Sequence, residues 1–176
     1  MNKSVVLLGI TGASGSVYAK RFLLHAKECG LNVEVIVTKT GEAVLKHEDC
    51  EGILQGCKVH AIDDFFAPPA TGSSCYAGLA VLPCSMGTLG RIAAGTSDNL
   101  LIRAADVCLK ESRPLVLVPR EMPLSEIHLE NMLKLKRAGA TIIPACPHFY
   151  KHPKNMDELV DTVVERVASF LHYSCV

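Results

Sequence analysis

At 176 residues the chain has the length of one domain, enough to bury a substantial core and too little to suggest two. Lys and Arg total 18, as do Asp and Glu, so the formal net charge is zero and no basic stripe could track a nucleic-acid backbone. Nucleic acid is disfavoured as a partner; so is a membrane, because the apolar run after Met1 to Ser4 soon meets glycines and has no cleavage site behind it. A cytoplasmic chain is expected.

Val5 to Ile10 is a continuous apolar run, the pattern of a strand buried on both faces, and it ends in the turn Thr11-Gly12-Ala13-Ser14-Gly15. A helix is expected from Ser16 to Cys29, stopped by Gly30, and a second strand over Val33 to Val37. Strand, crossover helix and strand in that order imply a right-handed parallel unit. Thr40 to His47 reads as helix, whereas Pro68, Pro69, Thr71, Gly72, Ser73 and Ser74 make a loop. Leu79 to Pro83 reads as a strand, and helical patterns follow around Gly87 to Ala94 and Asn99 to Lys110. Prolines bracket the strand Pro114 to Pro119; Leu124 to Arg137 reads as helix and Ala140 to Pro144 as another strand. The closing helix, Met156 to Leu171, carries Leu159, Val163, Val167 and Phe170 at the spacing of one apolar face.

Five or so strands alternating with helices predict a single domain over 1–176. Its class is α/β, a three-layer doubly wound parallel sheet, Rossmann-like or flavodoxin-like, with its ligand at the strands' carboxyl ends. Among the eight cysteines, Cys84, Cys108 and Cys146 have apolar neighbours and none lies in a CxxC pair, so buried reduced thiols are expected over disulfides or metal. The seven histidines show neither HxH nor HExxH spacing, so no metal is expected.

Thr11 to Gly15, between strand and helix, suits an anion, because glycines permit close backbone approach and a helix N-terminus offers free N–H groups. A ligand-free tight turn is the competing reading. The P-loop lysine is missing and the second strand lacks an acidic residue for an NAD ribose; it ends instead in Thr38-Lys39-Thr40, which suits a mononucleotide. Pro83-Cys84-Ser85-Met86-Gly87-Thr88 faces the same crevice as a second cradle or as an ordinary cap. Arg103 and Lys110 share one helix face, and Arg120-Glu121 follows a strand end beside prolines, an unusual place for a solvated pair. Arg166, flanking an apolar stripe, reads by itself as a snorkelling side chain.

Eight segments in order carry a resemblance: Ile10 to Gly15, Ala67 to Ser73, Pro83 to Ser85, Arg103 to Val107, Leu109 to Glu111, Arg113 to Leu117, Pro119 to Glu121 and Pro147 to Tyr150. Over residues 5–171 the chain resembles the UbiX flavin prenyltransferases. The resemblance implies transfer of a dimethylallyl group from its monophosphate to reduced FMN at N5 and C6, without metal. It further implies a homododecamer and a UbiD-type decarboxylase that receives the prenylated FMN, in ubiquinone synthesis or aromatic acid decarboxylation.

By the same resemblance, Gly12, Ala13, Ser14, Thr38, Ser85, Met86, Gly87, Thr88 and Arg120 would bind FMN. Thr71, Gly72, Arg103, Lys110, Tyr150 and Arg166 would surround the dimethylallyl phosphate, and Ser14, Glu48, Lys110 and Glu121 would act in the chemistry. Three departures stand out: Thr38 in place of a serine, Phe65 or Phe66 where some relatives have tryptophan, and an end at Val176. That end is short of a Trp-bearing tail, so closure of the site is expected to be weaker or differently made. The alternatives are a flavin-dependent cysteine decarboxylase of the phosphopantothenoylcysteine decarboxylase class and a non-catalytic FMN carrier. Against the first, Pro119 to Leu124 and Pro83 to Thr88 lack that class's PxMNxxMW and PASANT motifs.

Overall fold

The computed structural model describes residues 5–171. Six strands, β1 (Val5–Ile10), β2 (Asn32–Val37), β3 (Lys58–His60), β4 (Tyr76–Cys84), β5 (Leu115–Pro119) and β6 (Thr141–Ile142), form one sheet in the order β3-β2-β1-β4-β5-β6. Every pairing is parallel. The helices are α1 (Ser16–Glu28), α2 (Lys39–His47), α3 (Met86–Ala94), α4 (Leu100–Lys110), α5 (Glu126–Arg137) and α6 (Met156–Phe170).

Strand residues alternate between two cores because successive side chains point to opposite faces. Val6, Leu8 and Ile10 pack with Phe22, Leu45, Val163 and Val167, which places α1, α2 and α6 on one side. Leu7, Leu79 and Leu117 pack with Leu89, Leu101 and Leu135, which places α3, α4 and α5 on the other. This is the three-layer doubly wound arrangement that the apolar runs predict.

Side-chain caps start most helices: Thr38 accepts from the Gly41 amide, Ser85 from Thr88, Asn99 from Ile102 and Asn155 from Glu158. Ser125 caps α5 and the His128 ring returns the bond to the cap, so that helix begins at Glu126 and not at Leu124. Sequence reading missed β3, whose Lys-Val-His has no apolar run, and it drew β6 longer than the Thr141–Ile142 strand, although the Ile143 and Ala145 amides still donate to β5 carbonyls. The reading of the cysteines needs correction too. Cys75 and Cys146 are exposed thiols, and Cys29, at the C-cap of α1 and outside the core, is disulfide-bonded.

Candidate active site

In this strand order the chain reverses direction across the sheet between β1 and β4, which opens a crevice beyond their carboxyl ends. The buried Thr11 hydroxyl holds the two strand ends together, donating to the Pro83 carbonyl at 2.8 Å and accepting from the Ser85 amide at 2.7 Å. Sequence reading treated Thr11 as one letter of a turn and gave no sign of this bridge. Replacing Thr11 by the isosteric valine leaves both backbone groups without a partner, at a cost of about 1–3 kcal/mol. The expected result is a fall of about 2–10 °C in thermal midpoint by calorimetry; an unchanged midpoint would mean that the bridge adds nothing.

The amides at the start of α1, read from sequence as an anion cradle, are already occupied. Gly15, left-handed at φ 112, provides no side-chain cap. The carboxylate of Glu48, at the far end of α2, takes that place: Gly15 N–H donates to it at 3.0 Å and Ser16 N–H at 2.7 Å. The Ser14 hydroxyl bonds to the same carboxylate. Burial pushes the Glu48 pKa up, but the hydrogen bonds from Ser14, Ser16 and Gly15 outweigh it and hold the group below its ordinary 4.5. A carboxylate seated at a positive helix end thus excludes a phosphate from the same donors.

The free donors lie at α3 instead. Ser85 Oγ accepts from the Thr88 amide at 3.3 Å and donates to Thr88 Oγ1 at 3.1 Å, whereas the amides of Met86 and Gly87 find no acceptor among the described residues. At the start of α2 the Thr38 and Thr40 hydroxyls stand 3.2 Å apart. Gly12 is required there, since a Cβ on it would come within 2.6 Å of Thr40. Arg120, at the end of β5, reaches over the Ser14 carbonyl with its Nε at 3.1 Å, next to the buried Ala13. The neighbouring Glu121 is exposed and accepts from the Met122 amide at 3.0 Å. Open amides, an arginine, hydroxyls and a glycine without a side chain fit the phosphate and chain of a flavin mononucleotide.

The remaining candidates form a second group. Arg103 donates to the Ala70 carbonyl at 3.1 Å and pairs with Asp106 at 2.7 Å, while Thr71 and Ser73 hydroxyls meet at 3.2 Å. Arg113 holds the Gly72 carbonyl, and Gly72 packs so closely on Glu111 that a Cβ would collide with it. Lys110 pairs with Glu111 at 2.9 Å and is largely exposed. α4 begins beside Ile62, past the carboxyl end of β3, and ends in the turn that enters the amino end of β5. Lys110 therefore lies at the opposite end of the sheet from the crevice, about 10 Å further along the helix than Arg103.

Tyr150 stacks on His148 with ring centroids 4.0 Å apart, exposed beyond β6. Arg166 lies over Phe170 at 4.7 Å on the outside of α6, the snorkelling position its sequence context suggests. A single chain thus brings Gly12, Ala13, Ser14, Thr38, Glu48, Ser85 to Thr88 and Arg120 around one crevice; Arg103, Lys110, Thr71 and Gly72 stand elsewhere. A concavity of about 950 Å³ near Val5, Asn32 and Lys58 contains none of these residues. Among the described residues no group of His, Cys, Asp and Glu could hold a metal ion, and no helix is long and apolar enough to cross a membrane.

The family model described as Flavoprotein matches residues 1–168. The flavin prenyltransferase UbiX of Halalkalibacterium halodurans is 46% identical, over 92% of this chain and 85% of that protein. That of Pseudomonas aeruginosa is 42% identical over 94% and 88%. The chain belongs to the UbiX family of flavin prenyltransferases. Among solved structures, AnUbiX in complex with FMN and dimethylallyl pyrophosphate superposes with a TM-score of 0.94 at 37% identity, covering 99% of this chain and 95% of that one. A dodecameric FMN-dependent UbiX-like decarboxylase from Escherichia coli gives a TM-score of 0.90 at 41% identity, over 97% and 96%. A phosphopantothenoylcysteine decarboxylase, at 21% identity and a TM-score of 0.59 over 83% of this chain and 84% of that one, shares the fold alone.

Proposed function

We propose that this UbiX-family flavoprotein, acting as a single domain, joins the dimethylallyl group of dimethylallyl monophosphate to reduced FMN at N5 and C6. The carrying observation is the crevice at β1 and β4, where the Met86 and Gly87 amides, without an acceptor among the described residues, stand together with Thr38, Gly12 and Arg120. Reduced FMN enters as co-substrate and supplies the nucleophilic N5 and C6. In the overall balance the allylic C–O bond and the alkene give way to a C–N bond at N5 and a C–C bond at C6; N5 and C6 each lose a proton, and one proton is gained by the former alkene carbon and one by the departing phosphate.

The protein's part is charge and proton management. Cations at Arg103, Lys110 and Arg166, with Tyr150 and the Thr71-Gly72 loop, stabilise charge growing on the departing phosphate; one such donor is worth about 3 kcal/mol in a dry site. Glu121 holds the proton that phosphate takes. Glu48, kept ionised by its hydrogen bonds, accepts the N5 proton through Ser14.

Because α4 carries Lys110 away from its own crevice, the complete site needs a second copy of the chain. A homo-oligomer, a dodecamer in this reading of the family, also accounts for the exposed Phe66, Met122, Ile127, Leu129 and Leu133, apolar side chains that net-neutral copies would bury against one another. A UbiD-type decarboxylase receives the product, and the cytoplasm is the compartment assigned. Anaerobic incubation of the protein with reduced FMN and dimethylallyl monophosphate is expected to yield a flavin heavier by one five-carbon unit. Unchanged flavin mass with FMN still bound would favour the carrier reading and overturn this one.

A further inference from the structure

We propose that Glu34 is a positioning residue that clasps both ends of the connection 61–75 and so sets the Thr71-Gly72 loop for the donor phosphate; this rests on the functional reading above. Glu34 projects from β2 on the α4 side of the sheet. One of its oxygens, Oε2, accepts from the Tyr76 hydroxyl at 2.6 Å and from His60 Nε2 at 2.7 Å, while Oε1 accepts from Lys58 Nζ at 3.0 Å. His60 is the last residue before the connection and Tyr76 the first after it. One carboxylate oxygen therefore gathers the two residues where the chain leaves and re-enters the sheet.

The protonation states suit this geometry. Burial pushes the Glu34 pKa up, but bonds from Tyr76, His60 and Lys58 outweigh it and keep the group ionised, so His60 must carry its proton on Nε2. Burial and the Glu34 bond raise the Tyr76 pKa, so its hydroxyl remains a donor. The side chains of Glu34 and His60 are 16% and 7% exposed, which shields these charge-assisted bonds from water. Between its ends the connection is gripped by Arg103 at Ala70 and Arg113 at Gly72, both reaching from the α4 side. With the ends fixed at Glu34 and the middle fixed by guanidinium groups, the Thr71 and Gly72 backbone is held as one unit. No local sequence rule joins Glu34, His60 and Tyr76, which come together only through strand pairing across β1.

The test uses Tyr76→Phe, which removes one bond and keeps the ring, Glu34→Gln, which keeps an acceptor, and Lys58→Met, which removes a pair at the sheet edge without touching either end of the connection. In Tyr76→Phe, amide hydrogen exchange within 61–75 should speed up about tenfold while that of β1 and β5 stays as in wild type. The KM for dimethylallyl monophosphate should rise about tenfold, with kcat and FMN affinity within about twofold, equivalent to about 1.4 kcal/mol of lost ground-state and transition-state binding alike. Glu34→Gln should recover part of that KM, and Lys58→Met all of it. Unchanged exchange in 61–75 overturns the clasp whatever the kinetics. Faster exchange with unchanged KM overturns its positioning role. If wild-type protein makes no prenylated flavin, the functional reading and the donor role fall together, and the exchange data still decide whether the clasp exists.

Discussion

Replacing Glu48 with alanine is expected to lower the thermal midpoint by about 5–10 °C, a larger effect than any ordinary surface carboxylate would have. The argument rests on what loses its partner. Gly15 and Ser16 N–H groups open α1 with no other acceptor among the described residues, because Gly15 has no side chain to cap the helix. Two charge-assisted bonds to a half-buried carboxylate are worth about 2–3 kcal/mol in all after solvent screening, which at this chain length corresponds to about 2–4 °C per kcal/mol. Glu48→Gln retains one acceptor oxygen and should fall between wild type and alanine.

The same carboxylate should make stability depend on pH in a defined direction. Its folded-state pKa lies below the ordinary 4.5, so the folded state holds the carboxylate more tightly than the unfolded chain does. The advantage of wild type over Glu48→Gln should be constant above that ordinary value and shrink as pH falls through the lower folded value. Denaturant midpoints of the two proteins, measured from neutral pH into acid, check this; an advantage that instead grows toward acid would refute the ionised cap. The glutamine variant also separates two roles. If Glu48 only caps α1, it keeps product formation; if Ser14 passes the N5 proton to it, product is lost while FMN still binds.

The sheet was legible in sequence because its strands are apolar on both faces: Val5 to Ile10 and Leu115 to Pro119 permit almost no other environment. β3 was not, because Lys58, Val59 and His60 gain a strand only from pairing with β2 and from the Glu34 carboxylate. At the site, the turn motifs identified the crevice but could not say which of its two helix ends keeps open amides. Glycines and hydroxyls after β1 look the same whether the helix end faces a ligand or a distant glutamate, and Glu48 is 33 positions from Gly15. The spacing of Arg103 and Lys110 gave a shared helix face correctly. It could not say that α4 runs downward from the crevice, because that follows from which strand ends the helix connects.

That downward course leads to the prediction with the largest effect. Lys110→Met and Arg120→Met should each cut prenyl transfer by about a hundredfold or more, since one preorganised donor or cation supplies about 3–4 kcal/mol to a developing anion. Co-expressed with different tags and isolated as mixed oligomers, the two defective proteins should recover about a quarter of wild-type activity. Half of the crevices then belong to copies with Arg120 intact, and half of the α4 ends that meet them carry Lys110. A double variant mixed with wild type supplies the control, since it separates sites completed between copies from sites completed within one. If Lys110 instead reached the crevice of its own chain, every copy in the Lys110→Met and Arg120→Met mixture would carry one defect, and activity would stay at the level of the single variants. The exposed pairing of Lys110 with Glu111 is consistent with the first outcome, because a lysine serving its own crevice would have to leave the end of the sheet where the fold holds it.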